Sequence, residues 1–103
     1  MELLPDDLRA RLPPLLSQEA SDEPIVHARY FLPGTRWAWY VFEGEAEDGD
    51  FLFFGFVTGL HDEFGQFRLS DLQDLRGPGG ETVQLDPIFI EGKLTDVVPA
   101  PDL

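Results

Sequence analysis

The sequence predicts an α+β fold, a small and mainly antiparallel β-meander with short helices near the N-terminus and after the fourth strand. Two adjacent runs, Arg36–Glu43 and Phe51–Leu60, are rich in aromatic residues and read as strands. Both place apolar side chains on each face, so the sheet needs cover on both sides. The run Leu69–Arg76 instead carries leucines at helical spacing, which predicts a short helix.

A first helix is predicted from Pro5 to Leu12, because proline is tolerated in a first turn and Leu8 and Leu12 lie four residues apart on one face. The pair Pro13-Pro14 ends that helix, since proline disfavours the helical conformation in the residue before it. A polar, acidic loop follows and leads into the sheet.

Four strands are expected to form the meander. They cover residues 25–32, 36–43, 51–60 and 66–69, with a polar tip over 43–50 and a turn over 61–65. Gly55 and Gly59 interrupt the third strand, and glycine weakens a strand unless another group packs over the gap. A tryptophan from the neighbouring strand is the expected group.

The second helix has the clearest local signals in the chain. Ser70 is the expected N-cap, Gln73 completes a capping box three residues later, and Gly77-Pro78 ends the helix. After it, residues 81–90 are expected to hold one or two strands, and residues 94–98 a last turn.

Length and composition predict a single domain over residues 1–103, with an N-terminal helix and loop (1–24), a β-rich core (25–98) and a frayed tail (99–103). Nine Phe, two Trp and two Tyr are enough for a core without a metal or a disulfide. The absence of Cys excludes thiol catalysis and thiolate metal sites. The second face needs the tail, the N-terminal segment or another copy of the chain as cover, and we predict a homodimer.

The net charge of −13, from twenty acidic and seven basic residues, disfavours direct binding to nucleic acid or to anionic membranes. It is compatible with simple solubility or with attraction of a basic protein partner. The start of the chain lacks the basic and apolar stretches of a signal peptide, and no segment is long enough to cross a bilayer, so we expect a cytoplasmic protein.

Several motifs together resemble the bacterial domain-of-unknown-function family 2958. They are Leu12-Pro13-Pro14-Leu15, Pro24-Ile25-Val26, Trp37-Ala38-Trp39-Tyr40, Phe54-Gly55-Phe56-Val57-Thr58-Gly59-Leu60, Glu63-Phe64-Gly65-Gln66-Phe67, and Leu69-Ser70-Asp71-Leu72 running to Arg76-Gly77-Pro78. The resemblance implies an accessory, cytoplasmic role, since relatives are often encoded on plasmids and other mobile elements. It implies no catalytic residues and no cofactor, and the tip over 43–50 is longer and more acidic than is usual in the family.

That tip supplies the first candidate site. Its acidic residues are Glu43, Glu45, Glu47, Asp48 and Asp50. They suit a partner-attracting surface, while a calcium site is disfavoured because the spacing of an EF-hand loop is absent. A solvated hairpin tip that discourages edge pairing is the simplest alternative.

Other motifs favour structural roles over chemistry. Three consecutive residues, His61-Asp62-Glu63, rarely converge on one metal ion. The turn Arg76–Gly80 follows a helix, whereas a phosphate-binding loop precedes one. Ser70 is explained by capping rather than by nucleophilic catalysis. The aromatic strands are expected to pack the core, because base-stacking platforms come with cationic grooves.

We therefore predict a non-enzymatic, acidic interaction domain that engages a basic protein partner as an accessory of a mobile element, with no cofactor and no metal. The alternative is a small-molecule-binding or enzymatic domain with an aromatic pocket that involves Arg29, Arg36, Arg76 or His61. A further alternative is a purely structural subunit of an oligomer.

Overall fold

A long antiparallel hairpin forms the centre of the molecule in the computed structural model, which describes residues 2–18 and 23–98. Its strands are β3 (Ala38–Glu47) and β4 (Asp50–Thr58). Asp48 and Gly49 join them with φ angles of 49° and 82°, as a type I′ turn requires. Because this turn continues the twist of the strands, pairing extends to Glu47 and Asp50, and most of the predicted polar tip is strand.

Further strands complete a five-stranded sheet and a smaller two-stranded one. The other elements are α1 (Asp6–Arg11), β1 (Ile25–Val26), β2 (Ala28–Phe31), β5 (Glu63–Arg68), α2 (Leu69–Asp74), β6 (Gln84–Leu85), β7 (Gly92–Lys93) and α3 (Leu94–Val97). The large sheet has the order β5-β4-β3-β2-β6, and β1 pairs with β7. All pairs are antiparallel, so the predicted α+β meander with short helices is confirmed.

The sheet is apolar on both faces, as predicted, and different parts of the chain cover each one. On the first face, α1, α2 and the N-terminal residues pack over a core centred on Tyr30 and Phe53. On the second face, residues 89–98, above all Leu94 and Val98, pack over Tyr40, Phe42 and their neighbours. Phe64 on the edge strand β5 stays 56% exposed on this second face. The predicted homodimer stays a prediction.

Gly55 in β4 and Gly59 directly after it both lie under a close neighbour, but only at Gly59 is it the expected tryptophan. At Gly59 that neighbour is the predicted tryptophan, since a Cβ atom there would lie 2.4 Å from the ring of Trp37. At Gly55 the neighbour is backbone, because a Cβ would lie 2.0 Å from the carbonyl oxygen of Tyr40. The register shifts just beyond this point, between Val41 and Glu43, which marks a β-bulge in β3.

Besides the longer hairpin, other element boundaries differ from the sequence prediction. The predicted strand 25–32 divides at His27, because β1 pairs with β7 while β2 joins the large sheet. The predicted turn 61–65 is shorter, and β5 already begins at Glu63. The second helix begins at Leu69 with Arg68 as N-cap, so the predicted Ser70–Gln73 capping box is wrong.

The helix at residues 6–11 and the short helix at 94–97 agree with the prediction. Of the strands expected within residues 81–90, β6 lies there at 84–85, whereas β7 lies beyond that range at 92–93. The predicted frayed tail, residues 99–103, lies outside the described residues. Within the described ranges, every helix falls short of the length and apolarity that a membrane span requires.

Gly55 and Gly65 lie opposite each other on β4 and β5 and offer a matched test of the packing. We expect Gly55→Ala to destabilise the protein by about 1–3 kcal/mol, because the added methyl meets rigid backbone. Gly65→Ala should stay within about 0.5 kcal/mol, because a Cβ there meets nothing within 4 Å. Urea denaturation of both variants measures this, and equal midpoints would contradict the packing described for β4.

Candidate functional site

An open groove lies at one end of the first sheet face, where three connecting segments meet. It has a volume of about 710 Å³. We call it the tryptophan groove. Its lining residues are Leu32, Thr35, Arg36, Trp37, Trp39, Gly59, Leu60, Leu75, Arg76, Gly77 and Pro78. They come from the β2–β3 turn with the start of β3, from the β4–β5 turn, and from the segment that follows α2.

The two tryptophans of the chain form the wall of this groove. Their rings stack with centroids 6.0 Å apart and planes inclined by 22°. Trp39 is 6% exposed and belongs to the core, whereas Trp37 is 38% exposed. Trp37 can lie flat against the sheet because Gly59 has no side chain, and the φ of 154° at Gly59 is one that other residues rarely adopt. The groove therefore depends on a glycine opposite a tryptophan.

Hydrogen bonds fix the turn that carries Trp37. The hydroxyl of Thr35 donates to the carbonyl of Leu32 at 2.8 Å and accepts from the N–H of Trp37 at 3.1 Å. The hydroxyl of Thr58 donates to the carbonyl of Arg36 at 3.4 Å. Both threonines are thereby engaged in holding the backbone, and the position of Trp37 is set before any ligand arrives.

Two arginines line the tryptophan groove, and neither forms an ion pair with any described residue. The side chain of Arg36 is exposed and forms no hydrogen bond within residues 2–18 and 23–98. Arg76 donates through Nη1 to the carbonyls of Gln73 at 2.7 Å and Leu75 at 2.9 Å, at the end of α2. Of the residues predicted for an aromatic pocket, the structure thus brings Arg36 and Arg76 together with both tryptophans.

Arg29 and His61, the other two residues predicted for that pocket, lie elsewhere. Arg29 packs over the rings of Phe31 and Tyr40 at 5.1 and 5.8 Å, on the second sheet face, and pairs with Asp86 at 3.4 Å. His61 is exposed in the β4–β5 turn and does not line the groove.

The acidic tip differs from its prediction most at Glu43, which is 2% exposed. Beyond the bulge, Glu43 pairs with Phe54 and so faces the second side of the sheet. Its carboxylate accepts the N–H groups of Leu16 at 2.8 Å and Gln18 at 2.6 Å, and so holds the turn after Pro13-Pro14. A buried carboxylate bonded in this way supports the fold and is not available to a partner.

Three of the other four tip acids, Glu45, Glu47 and Asp50, also have partners within the chain. Glu45 accepts the N–H of Leu15 at 2.9 Å, and Glu47 pairs with Arg68 at 2.9 Å. The hydrogen bond from Arg68 to Glu47 is the main reason why the pKa of the Arg68 guanidinium is raised. Asp48 is exposed at the turn and forms no hydrogen bond or ion pair with another described residue.

Asp50 connects the tip to the start of α2. Its carboxylate accepts the hydroxyl of Ser70 at 2.5 Å and the N–H of Ser70 at 3.2 Å, and it also accepts the N–H of Phe51 at 2.8 Å. Asp50 thus satisfies a free N–H in the first turn of α2, which is the role predicted for Ser70 itself. The hydrogen bond from Ser70, followed by that from Phe51, lowers the pKa of Asp50.

A second polar cluster lies beneath α1. His27 Nδ1 lies 2.8 Å from Glu91 Oε2, Arg11 Nε donates to Glu91 Oε1 at 3.0 Å, and Arg11 Nη1 pairs with Asp7 at 2.9 Å. Asp7, Arg11 and His27 border a hollow of about 170 Å³. The cluster attaches Glu91 to α1 and to the strand region, and the contacts of Arg11 and His27 with Glu91 span separations too long for sequence spacing to reveal.

Comparison with known proteins places the chain in one family and adds no activity. The chain belongs to the family described as "Protein of unknown function (DUF2958)", whose sequence model matches residues 3–97. This confirms the resemblance drawn from the motifs. No curated protein and no solved structure matches the chain.

The hydrogen bonds of Asp50 predict a specific dependence of stability on pH. Because its pKa is lower in the folded state than in the unfolded state, Asp50 stabilises the fold above the ordinary carboxyl pKa of about 3.9, and this contribution disappears as the pH falls through the lower folded value. Asp50→Asn should therefore be less stable than the wild type at pH 7, and the difference should narrow below pH ~4.

Thermal unfolding between neutral and acidic pH measures this difference. Asp48→Asn is the control, because Asp48 has the same charge two residues away and no partner among the described residues. If Asp48→Asn and Asp50→Asn gave the same profile, the Asp50 carboxylate would not stabilise the first turn of α2.

Proposed function

We propose that this member of the family acts by binding a small ligand in the tryptophan groove. The observation that supports this most is the combination of two stacked indoles with two arginines that have no carboxylate partner among the described residues. Exposed tryptophan surface costs free energy in water, and a rigid turn holds Trp37 in that position. A ligand that covers this surface would recover that free energy.

The size and the lining of the groove favour binding of a small molecule. A volume of about 710 Å³ is within the range of ligand pockets, which are about 300–1,000 Å³ and mostly apolar with a few polar groups. The lining side chains identified above include no histidine and no carboxylate. General acid–base catalysis usually needs one of these, so the groove supports a binding role better than an enzymatic one.

The two tryptophans provide a direct measurement of ligand binding. The chain has only these two indole N–H groups, both in the groove, so a ¹H–¹⁵N spectrum reports the site with two signals. We expect 2-naphthamide, a neutral planar probe, to shift both signals with saturation in the millimolar range. Trp37→Ala should weaken binding about 5–10-fold, because an aromatic contact contributes about 1–1.5 kcal/mol.

Leu16→Ala is the matched control, since Leu16 is an exposed apolar side chain (68%) that does not line the groove. It should leave the affinity unchanged. The dispersion of the backbone signals shows whether each variant is folded. If the probe left both indole signals in place, or bound wild type and a folded Trp37→Ala variant equally, the groove would not be a binding site.

The acidic surface favours a second function, attraction of a basic protein partner. The net charge is −13, and at the tip Asp48 is exposed without a partner in the described chain while Glu45 is also exposed. Binding of this kind weakens as salt is added, which distinguishes it from apolar contact in the groove. We propose that this protein attracts a basic partner as a cytoplasmic accessory protein of a mobile element, in keeping with the resemblance described above.

A further inference from the structure

We infer that the ligand of the tryptophan groove is a planar organic anion, that is, a flat ring system with a carboxylate or phosphate group. This inference rests on the proposed function, since it names the class of ligand for the same groove. Two features carry it. The indole wall suits a flat apolar body, and the two arginines suit an anionic group.

Arg36 provides the first cationic group. It is the residue directly before Trp37, its side chain is exposed, and it forms no hydrogen bond within the described ranges. All five N–H donors of its guanidinium therefore remain for a ligand or for water. The planar fork of these donors matches a carboxylate or a phosphate in two-point contact.

Arg76 provides the second cationic group from a different segment of the lining, the one that follows α2. Its Nη1 is bonded to two carbonyls at the end of α2, which fixes the guanidinium in place. Its Nε and Nη2 donors have no partner among the described residues. Glu81, the acid in the same turn, forms no ion pair with Arg76, and its carboxylate accepts the N–H of Gly79 at 2.9 Å.

The lack of carboxylate partners is informative in a chain with twenty acidic residues. Arg11, Arg29 and Arg68 all pair with carboxylates. Arg9 has no ion pair in the described chain but packs over the ring of Phe51 at 5.1 Å. Arg36 and Arg76, in contrast, line a groove whose other lining residues are apolar or aromatic apart from Thr35 and include no carboxylate, so an external anion is the complementary partner for both.

The negative charge of the whole protein opposes the approach of an anion, but only at long range. The Debye length is about 8 Å at physiological ionic strength, so distant carboxylates are largely screened. Direct contact with two guanidinium groups beside an apolar wall is screened much less. The local arrangement therefore determines which ligand is preferred.

The test compares ligands that share a ring system and differ in charge. We expect 2-naphthoate to bind about tenfold more tightly than 2-naphthamide at about 0.15 M salt, measured by the shifts of the two indole N–H signals. Arg36→Gln should remove most of this preference and leave the affinity for 2-naphthamide unchanged. Arg36 is the first choice because its side chain has no internal partner in the described chain, so its replacement should not affect folding.

Lys93→Gln is the control, because it makes the same change in net charge at an exposed residue of β7 outside the groove. It should preserve the preference for the anion. A third ligand, 2-naphthyl phosphate, distinguishes the two anions: tighter binding than 2-naphthoate assigns a phosphate, and equal or weaker binding assigns a carboxylate.

The outcomes separate the two claims. If none of the three ligands bound, the proposed function would fail, and this inference with it. If 2-naphthamide and 2-naphthoate bound equally, the groove would be a binding site but the ligand would not be an anion. If Lys93→Gln reduced the preference as much as Arg36→Gln, the effect would be one of net charge, and the inference would be overturned.

Discussion

Both faces of the β3–β4 ribbon are apolar, and the need to cover them determines how the rest of the chain is arranged. Burial of large aromatic side chains is the main source of stability that a domain of this size has. The first face is covered by α1, α2 and the N-terminal residues, and the second face is covered by residues 89–98. Short helices are enough, because each contributes only one or two leucines to a sheet that already holds most of the core.

The tryptophan groove lies where the cover of the first face ends. Helix α2 stops at Asp74, and the segment after it forms a loop that is closed by a β-bridge between Arg76 and Thr82. Trp37 is left half covered at this border, seated on Gly59 and beside Trp39. The same geometry that completes the core therefore leaves an aromatic wall open to solvent, with Arg36 and Arg76 in the lining.

The acidic tip has a different origin from the one that its composition suggests. Its carboxylates mostly accept hydrogen bonds from backbone N–H groups that have no other partner in the described chain. Glu43 accepts them in the turn after the two prolines, and Asp50 accepts one at the start of α2. Acidic residues in a sequence can therefore serve as hydrogen-bond acceptors for the backbone as well as attract a partner by their charge. In this hairpin, the exposed and unpartnered share of the charge is small.

Much of the sheet could be predicted from the sequence, because alternation along β3 and β4 places each aromatic on its correct face and Gly59 indicated a tryptophan above it. The extension of the hairpin was missed, although Asp48-Gly49 is a strong type I′ signal. The bulge at Val41 and Glu43 has no such signal, so the burial of Glu43 could not be foreseen.

Contacts set by tertiary packing also limit what the sequence can predict about the tryptophan groove and about the polar cluster around His27 and Glu91. Trp37, Arg36 and Arg76 carry chemistry that the sequence makes visible, and an arginine-containing aromatic pocket was one of its predictions. Which arginines belong to it depends on where the turns after β2, β4 and α2 converge. That convergence, like the contact of His27 with Glu91, is set by tertiary packing over long separations in the chain.

The seating of Trp37 on Gly59 is the claim on which the groove depends, and the chemical shifts of the Gly59 Hα protons test it most directly. A proton close above an indole ring is strongly shielded. We expect at least one Gly59 Hα signal well upfield of ordinary glycine values, and we expect the shift to disappear in Trp37→Ala. Ordinary glycine shifts in the folded wild-type protein would contradict the account, because Trp37 would then lie elsewhere and the groove would lack its wall.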